Sequence, residues 1–562
     1  MNSMKFDEIE PMTSTQEQGE KKIQEATNEI LLTDIDQKCN EENYSEDSPQ
    51  DVVSSPTSRP LLPQVIIVIS TCVGAMAFGM SMSHTVILIP HLQEENSTLF
   101  VDEQTGSFIA SMYSIASPIG YLGGGVFMDI WGRRKGKILG QVGYIFGWAT
   151  IAGAQNVGML IIGRTFDGLA RGILSATGPV MLDEMTDPRL RGFFSGTVMP
   201  CVHIGAVIMM VLGTYLPWRL AASLAPSLNC LVLLVYVFYI PESPSWLVRR
   251  RRFDDARRSL RILWGRRRER EVSLELRTLT TRLNDEFHHP EPGNGRMNLC
   301  KCGYISSTFR SILKPHILKP FLLSQIFLFF QITCGQPFFV FFGIDILMRV
   351  KGEADWMDSY KVSIYGNASG LISCILCSFL LLKLGRRFIA VLSGLVTAIH
   401  DIVLAGILYK ESSLPYSGHS IVWVKIILMQ SRMFFYLLGM STLPFIMLGE
   451  LLPSRIRGIS SGYILAINDL AMGGATMLYP TLMRSLGIQG LYLTFGISCL
   501  LCSFFVYLFI PETQGKTLEN IEDYFKKTNV MWITRDEHRI DRVNHLHKWC
   551  CLKRENKFTA VL

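Results

Sequence analysis

Between Leu61 and Gln93 the chain carries no Asp, Glu, Lys or Arg. A run of that length reaches across a bilayer, which takes ~20 apolar residues. It constrains the fold more than any other feature, because inside hydrocarbon the backbone must bond to itself and a lone segment does so only as a helix. Eleven further segments follow at about 105–128, 138–155, 157–181, 193–216, 219–240, 319–347, 361–383, 388–409, 421–448, 459–483 and 486–510. The 409–432 stretch is the least regular, since Lys425 and Arg432 interrupt it. Charged residues make up 18% of the chain, against about 25% in soluble domains. The expected fold class is an all-α membrane protein of twelve transmembrane helices.

The polar stretches set the orientation. Residues 1–60 are acidic, with runs such as EENYSEDSPQD, and hold only two aromatics, Phe6 and Tyr44. They cannot bury enough surface to fold, and they lack the basic start and apolar core of a signal peptide. A linker follows at 242–316 and a second tail at 512–562. Arg133, Arg134, Lys135 and Lys137, the runs at 249–252 and 266–268, Arg386 and Arg387, and Arg455 and Arg457 all fall on one side of the twelve crossings. Loop 91–104 on the other side has Glu94, Glu95, Asp102 and Glu103 and no base. Positive residues stay inside, so both termini and the linker are expected in the cytoplasm. A basic linker beside a membrane reads as an anchor to the lipid bilayer rather than a nucleic-acid patch. Asn96-Ser97-Thr98 is a glycosylation sequon in the outer loop, and Asn96 is expected to carry a glycan. Asn367-Ala368-Ser369 lies within a helix and is expected to stay bare. Most of the 13 Cys lie in apolar segments, where a thiol is a small packing group, and no disulfide framework is expected.

Three signatures occur twice in the same order. GRR stands at 132–134 and 385–387, Glu184 precedes PRLRG as Glu450 precedes PSRIRG, and PES at 241–243 recurs as PET at 511–513. In both copies the same spacing separates the acid from the last arginine, Glu184 to Arg191 and Glu450 to Arg457. The chain is therefore a parallel duplication of six helices, with halves at 61–241 and 317–511. Such duplications place the ligand site between the halves near the midplane.

Seven strings carry a family resemblance: GGGVFMDIWGRRK (123–135), GRTFDG (163–168), EMTDPRLRG (184–192), PESPSWLV (241–248), LGRR (384–387), PFIMLGELLPSRIRG (444–458) and PETQGKTLENIE (511–522). Together they resemble the sugar porters of the major facilitator superfamily, over about 64–525. Within that family MLGELLPSRIRG looks like the insect facilitated trehalose transporters. The resemblance implies the major facilitator fold, short cytoplasmic helices in the linker, facilitative transport of a neutral sugar (trehalose or a hexose), and a multi-pass place in the plasma membrane. Asp129, Arg133, Arg134, Glu184 and Arg191 would form an inner gate with Arg386, Arg387, Glu450 and Arg457. Guanidinium–carboxylate pairs suit that role because they form and break as a bidentate network. Such a network is expected to hold the two halves together on the inner face.

At the sugar site the resemblance thins. Where the family offers amides, this chain has Met199, Ile332, Pro337 and Gly370. The candidate binding residues that remain are Gln331, Gln336, Asn367, Phe445, Asn468 and Asp469. A ligand hydroxyl left unpaired costs ~1–3 kcal/mol, so the solute or its pose differs from the family's usual one. Buried ionisable residues in a membrane are functional suspects, here Asp469, His84 and Asp401. Asp167 is expected to pair on its own helix with Arg164 or Arg171. Ser81 stands where proton-driven family members carry an Asp, which implies uniport. No nucleotide motif or metal-ligand cluster is present, so no enzyme activity and no cofactor is expected. Two other readings stay open: a carrier of another small organic solute, perhaps coupled to protons through Asp469, and a membrane sensor on a transporter scaffold.

Overall fold

The computed structural model describes residues 61–94, 99–187, 197–265, 268–288, 315–352, 358–413, 419–452 and 457–514, with Ile521, Tyr524 and Phe525. Asn96, Arg191 and most of both tails lie outside that set, as does the side chain of Arg457. The described residues form helices and no strand.

The first half contains α1 (Leu61–Gln93), α2 (Glu103–Trp131), α3 (Arg133–Ala152), α4 (Val157–Met185) and α5 (Val198–Tyr215). Its sixth crossing breaks at Pro226 into α6 (Trp218–Leu224) and α7 (Ser227–Phe238). Three helices of the linker follow: α8 (Pro244–Arg249), α9 (Phe253–Trp264) and α10 (Glu269–His288). The second half opens with α11 (Pro315–Thr333) and α12 (Gln336–Lys351), one crossing broken at Gly335, whose φ is 95°. It continues with α13 (Ser359–Lys383), α14 (Arg386–Ser413), and a tenth crossing made of α15 (His419–Leu438) and α16 (Leu443–Leu451). The last two crossings form α17 (Arg457–Phe509), bent at Gly487 with φ 65°.

Among the described residues, eight spans are long and apolar enough to cross a membrane, the last being the bent α17 with its two crossings. The other three crossings, α2 to α4, are rich in Gly and Ser and carry charges, so their hydropathy is lower. They are packed tightly on one another instead, α4 lying against both α2 and α3. Side chains fix several helix starts by accepting from first-turn amides: Asp102 from Thr105 (3.4 Å), Asn156 from Met159 (2.9 Å) and Asp358 from Tyr360 (3.0 Å).

The halves meet along three seams: α2 against α17, α5 against α13, and α1 against α12. Their apolar packing is one-sided. Call the face bearing the GRR turns and α8–α10 the motif face. Near the opposite face, one core cluster joins Ile89, Ala110 and Tyr113 of the first half to Phe338, Val350, Met472 and Met483 of the second. A second joins Leu88, Leu92 and Trp148 to Ile344, with Tyr360 and Ile364 packed on it. Near the motif face each cluster stays within one half. Ile67, Met181, Met185 and Tyr236 gather with Leu263 of α9, while Ile389, Leu451, Val506 and Ile510 gather separately.

Candidate functional site

On the motif face the repeated signatures build the same device twice. In the first half, Glu242 of PES lies on the N-terminus of α3 and accepts from the backbone N–H groups of Arg133 (2.7 Å) and Arg134 (3.0 Å). A helix N-terminus favours an anion. Gly132 makes room: its φ is 107°, and a Cβ there would collide with the Glu242 carboxylate. Arg133 then grips Glu184 through two N–H donors, each at 3.1 Å, and reaches Asp129 at 3.3 Å. Ser243 donates to Glu184 and also caps α8 by accepting from Trp246 N–H at 3.3 Å. Arg134 donates to the Tyr236 carbonyl at 2.8 Å, near the C-terminus of α7.

The second half repeats the contacts of Glu242, Glu184 and Arg134, but has Leu382 where the first has Asp129. Glu512 of PET accepts from Arg386 N–H (3.0 Å) and Arg387 N–H (3.1 Å), and a Cβ at Gly385 would collide with it. Arg386 pairs with Glu450 at 3.3 Å, and Thr513 donates to the same carboxylate. Arg387 donates to the Tyr507 carbonyl near the end of α17. The expectation of one network spanning the halves differs from this arrangement. Among the described residues, the motif-face pairs lie within each half, Arg133 with Glu184 and Arg386 with Glu450.

Pairs that do cross between halves lie elsewhere. On the opposite face Glu103 of α2 meets Arg484 of α17 at 3.0 Å and Arg349 of α12 at 3.6 Å. Arg349 also holds Asp345 at 3.0 Å, and Asp345 accepts from the Tyr479 hydroxyl at 2.6 Å. At mid-depth a second inter-half contact is buried. Arg171, the central residue of α4, donates to both oxygens of Asp469 on α17, the Nη2 bond measuring 3.1 Å. Ser117, the central residue of α2, donates to the same carboxylate. The guanidinium is sandwiched 4.5 Å from the Phe78 ring and 5.2 Å from Tyr113.

Glycine makes this meeting possible. A Cβ at Gly172 would strike the Ser117 carbonyl, so only glycine lets α2 and α4 touch beside Arg171. One turn after Asp469, a Cβ at Gly473 would come 2.7 Å from Ile115 of α2. Of the two pairings open to Asp167, the one with Arg164 forms, and Arg171 turns to Asp469 instead. Arg164 does lie 3.6 Å from Asp167, and Ser81 donates to that carboxylate at 3.0 Å. His84 is a buried partner of Arg164 at 2.9 Å, stacked edge-on against Trp148. Asp401 binds Arg432 at 2.8 Å, and Arg432 donates to the Cys334 carbonyl at the α11–α12 break, which assigns Asp401 to that break.

The remaining candidates scatter more. Gln331 donates to the Ser441 carbonyl at 2.7 Å, where α15 gives way to α16, and its Oε1 is buried without a protein partner. Asn468 is buried with Oδ1 likewise unpartnered. Gln336 begins α12 and is half-buried. Asn367 spends its amide on the Ser363 carbonyl at 3.0 Å, and Phe445 packs on Leu328, Leu448 and Ile464. Ile332 and Pro337 are buried, Met199 is half-buried, and Gly370 faces Leu437 and His203 of the other half. Ser117 was not singled out by sequence, and Glu242 and Glu512 entered only as letters of the repeated PES and PET, with no role assigned. For the two glutamates the available signal was their repetition beside the Ser and Thr that were noticed.

A family model described as "Sugar (and other) transporter" matches residues 70–525. The facilitated trehalose transporter Tret1 of Culex quinquefasciatus is 28% identical over 468 residues, covering 83% of this chain and 86% of that protein. The protein of the same description from Anopheles gambiae is 29% identical over 85% of this chain, which spans only 58% of that relative's length. Among solved structures, the E. coli xylose transporter XylE in an inward-open conformation superposes with a TM-score of 0.63 at 18% identity, over 82% of this chain and 99% of that one. A human organic anion transporter superposes at 0.51 and 14% identity, over 79% and 99%. At these identities the structural likeness concerns the fold, which is that of the major facilitator superfamily.

Proposed function

The chain belongs to the sugar transporter family, and on that premise we propose that it carries a neutral sugar, trehalose or a hexose, across the plasma membrane by facilitated alternating access. The observation that carries the reading is the one-sided closure of the halves. Shared apolar clusters and the Glu103 ion pairs seal the face opposite the motifs, while the motif-face clusters stay within each half. With the basic motif face in the cytoplasm, this conformation is closed to the outside and faces inward. The termini then lie inside and Asn96 outside.

The motif residues Asp129, Arg133, Arg134, Glu184, Arg191, Arg386, Arg387, Glu450 and Arg457 serve as the inner gate in two stages. Each half keeps its own cluster as a rigid unit, and the units meet when the inner face closes. Gln331, Gln336, Asn367, Asn468 and Asp469 supply hydrogen bonds to the solute, and Phe445 an apolar wall. Relatives described as facilitated trehalose transporters support trehalose as the first solute to test. Loss of amides at Met199, Ile332, Pro337 and Gly370 favours a second reading, a carrier of another small organic solute. Uptake of labelled trehalose, hexoses and non-sugar solutes into liposomes separates the two. Saturable sugar uptake that Gln331→Ala lowers is the expected result, and transport of a non-sugar solute alone overturns the first reading.

A further inference from the structure

Alternating access makes the halves change their contacts, and the Arg171–Asp469 pair lies on a seam between them. Parting that seam with no replacement leaves a buried guanidinium uncompensated, which is strongly unfavourable. A replacement stands ready. Asp167 precedes Arg171 by one helical turn on α4, where the two side chains share a face. Its Oδ2 is buried and accepts no hydrogen bond, with Arg164 at 3.6 Å. Both residues line a small cavity together with Phe78, Ser81, Tyr113 and Tyr144. The buried Tyr113 hydroxyl and Arg171 Nε are unpartnered as well. The cavity thus offers an open acceptor and unused donors beside the guanidinium.

We propose that Arg171 exchanges partners during the transport cycle, from Asp469 of the other half to Asp167 of its own helix, and that Asp469, so released, becomes an acceptor for solute hydroxyls in the outward-facing conformation. The proposal rests on the alternating-access reading and not on which sugar is carried. Ser117 belongs to the same half as Arg171, so Asp469 loses both of its donors together. Phe78 and Tyr113 hold the guanidinium through cation–π contact and keep it at one depth while its partner changes. Arg171 is a positioning residue in this scheme, and Asp469 the group that meets solute.

The test reads conformation in the full chain in liposomes, without solute. Cysteines replacing Glu103 and Arg484, which touch on the outer face, cross-link when that face is closed. In this background Asp167→Asn removes the second partner, so Arg171 stays on Asp469. Cross-linking is expected to quicken, and sugar exchange to fall about tenfold, a shift of the conformational equilibrium of about that size. Asp469→Asn frees Arg171, and cross-linking is expected to slow by a similar factor. The opposite signs are the signature. A pair that only holds the fold together moves both variants the same way, and that result, or no change in either, overturns the proposal. Should Asp469→Asn fail to fold, Ser117→Ala loosens the same carboxylate without unbalancing charge and is expected to slow cross-linking too. Unchanged cross-linking there is equally damaging. Opposite shifts with no sugar uptake would sink the sugar reading and leave the exchange standing.

Discussion

Gly132 and Gly385 begin the same motif, yet they are not equivalent. Both leave space for a carboxylate on a helix N-terminus, but only Gly132 has a positive φ, 107°. Replacing Gly385 by Ala pushes Glu512 away; replacing Gly132 by Ala does the same to Glu242 and strains the backbone. An L-residue forced into a sparsely populated backbone region costs of order 1–3 kcal/mol. Gly132→Ala is therefore expected to lower thermal stability by several degrees more than Gly385→Ala, measured side by side in detergent. Equal losses would mean that carboxylate displacement accounts for both. Residue identity made these motifs legible, since GRR, the paired acids and PES or PET repeat in order. What each residue does was not legible. Glycine was read as part of a string, and the glutamate's place on the helix end appears only once α3 and the chain after α7 are together. Arg171 and Asp469 show the same limit more sharply: the nearest acid in sequence was the wrong partner, because a seam between halves brought a distant one closer.

At the scale of elements, hydrophobic length found the crossings, and their bounds agree to within a few residues for most. The breaks were missed. Gly335 and Gly487 divide or bend long apolar runs, and hydropathy alone does not report a φ of 95° or 65°. The linker helices are a case where charge chemistry predicts behaviour. Glu269, at the start of α10, accepts from Arg257 (2.7 Å) and Arg261 (2.8 Å) of α9. Arg261 first, then Arg257, holds its carboxyl below the usual range. A group whose folded pKa is depressed contributes stability above its unfolded value, about 4.3 for Glu, and loses it as pH falls through the folded one. Amide exchange in α9 and α10 is expected to stay slow near neutrality and quicken selectively below about pH 4, where the carboxyl begins to take a proton. Glu269→Gln is expected to show the faster exchange already at pH 7. If acid speeds exchange in Glu269→Gln as much as in the wild type, another group controls the docking.

At the scale of the whole molecule, the twelve-helix duplication was legible because membrane insertion leaves few alternatives, whereas the conformation was not, because it depends on which seams are closed. The mid-depth charges now bear on energy coupling. Ser81 occupies the position where an acid marks proton-driven relatives of the resembled family, but its hydroxyl serves Asp167, which arrives from α4. The centre of the molecule therefore holds two acids and two arginines, Arg164 with Asp167 and Arg171 with Asp469. Each acid thus faces an arginine of its own. Partner exchange changes which acid faces which arginine and leaves both pairs' charges within the bundle. Uniport is the expected outcome. Liposomes holding equal sugar on both sides and an inward proton gradient should show tracer exchange and no net accumulation. Accumulation that vanishes in Asp469→Asn would make the released carboxylate a proton carrier. Accumulation that vanishes instead in Asp167→Asn would mean that α4 supplies the acid which helix α1 lacks, and that this chain reached proton coupling from the neighbouring helix.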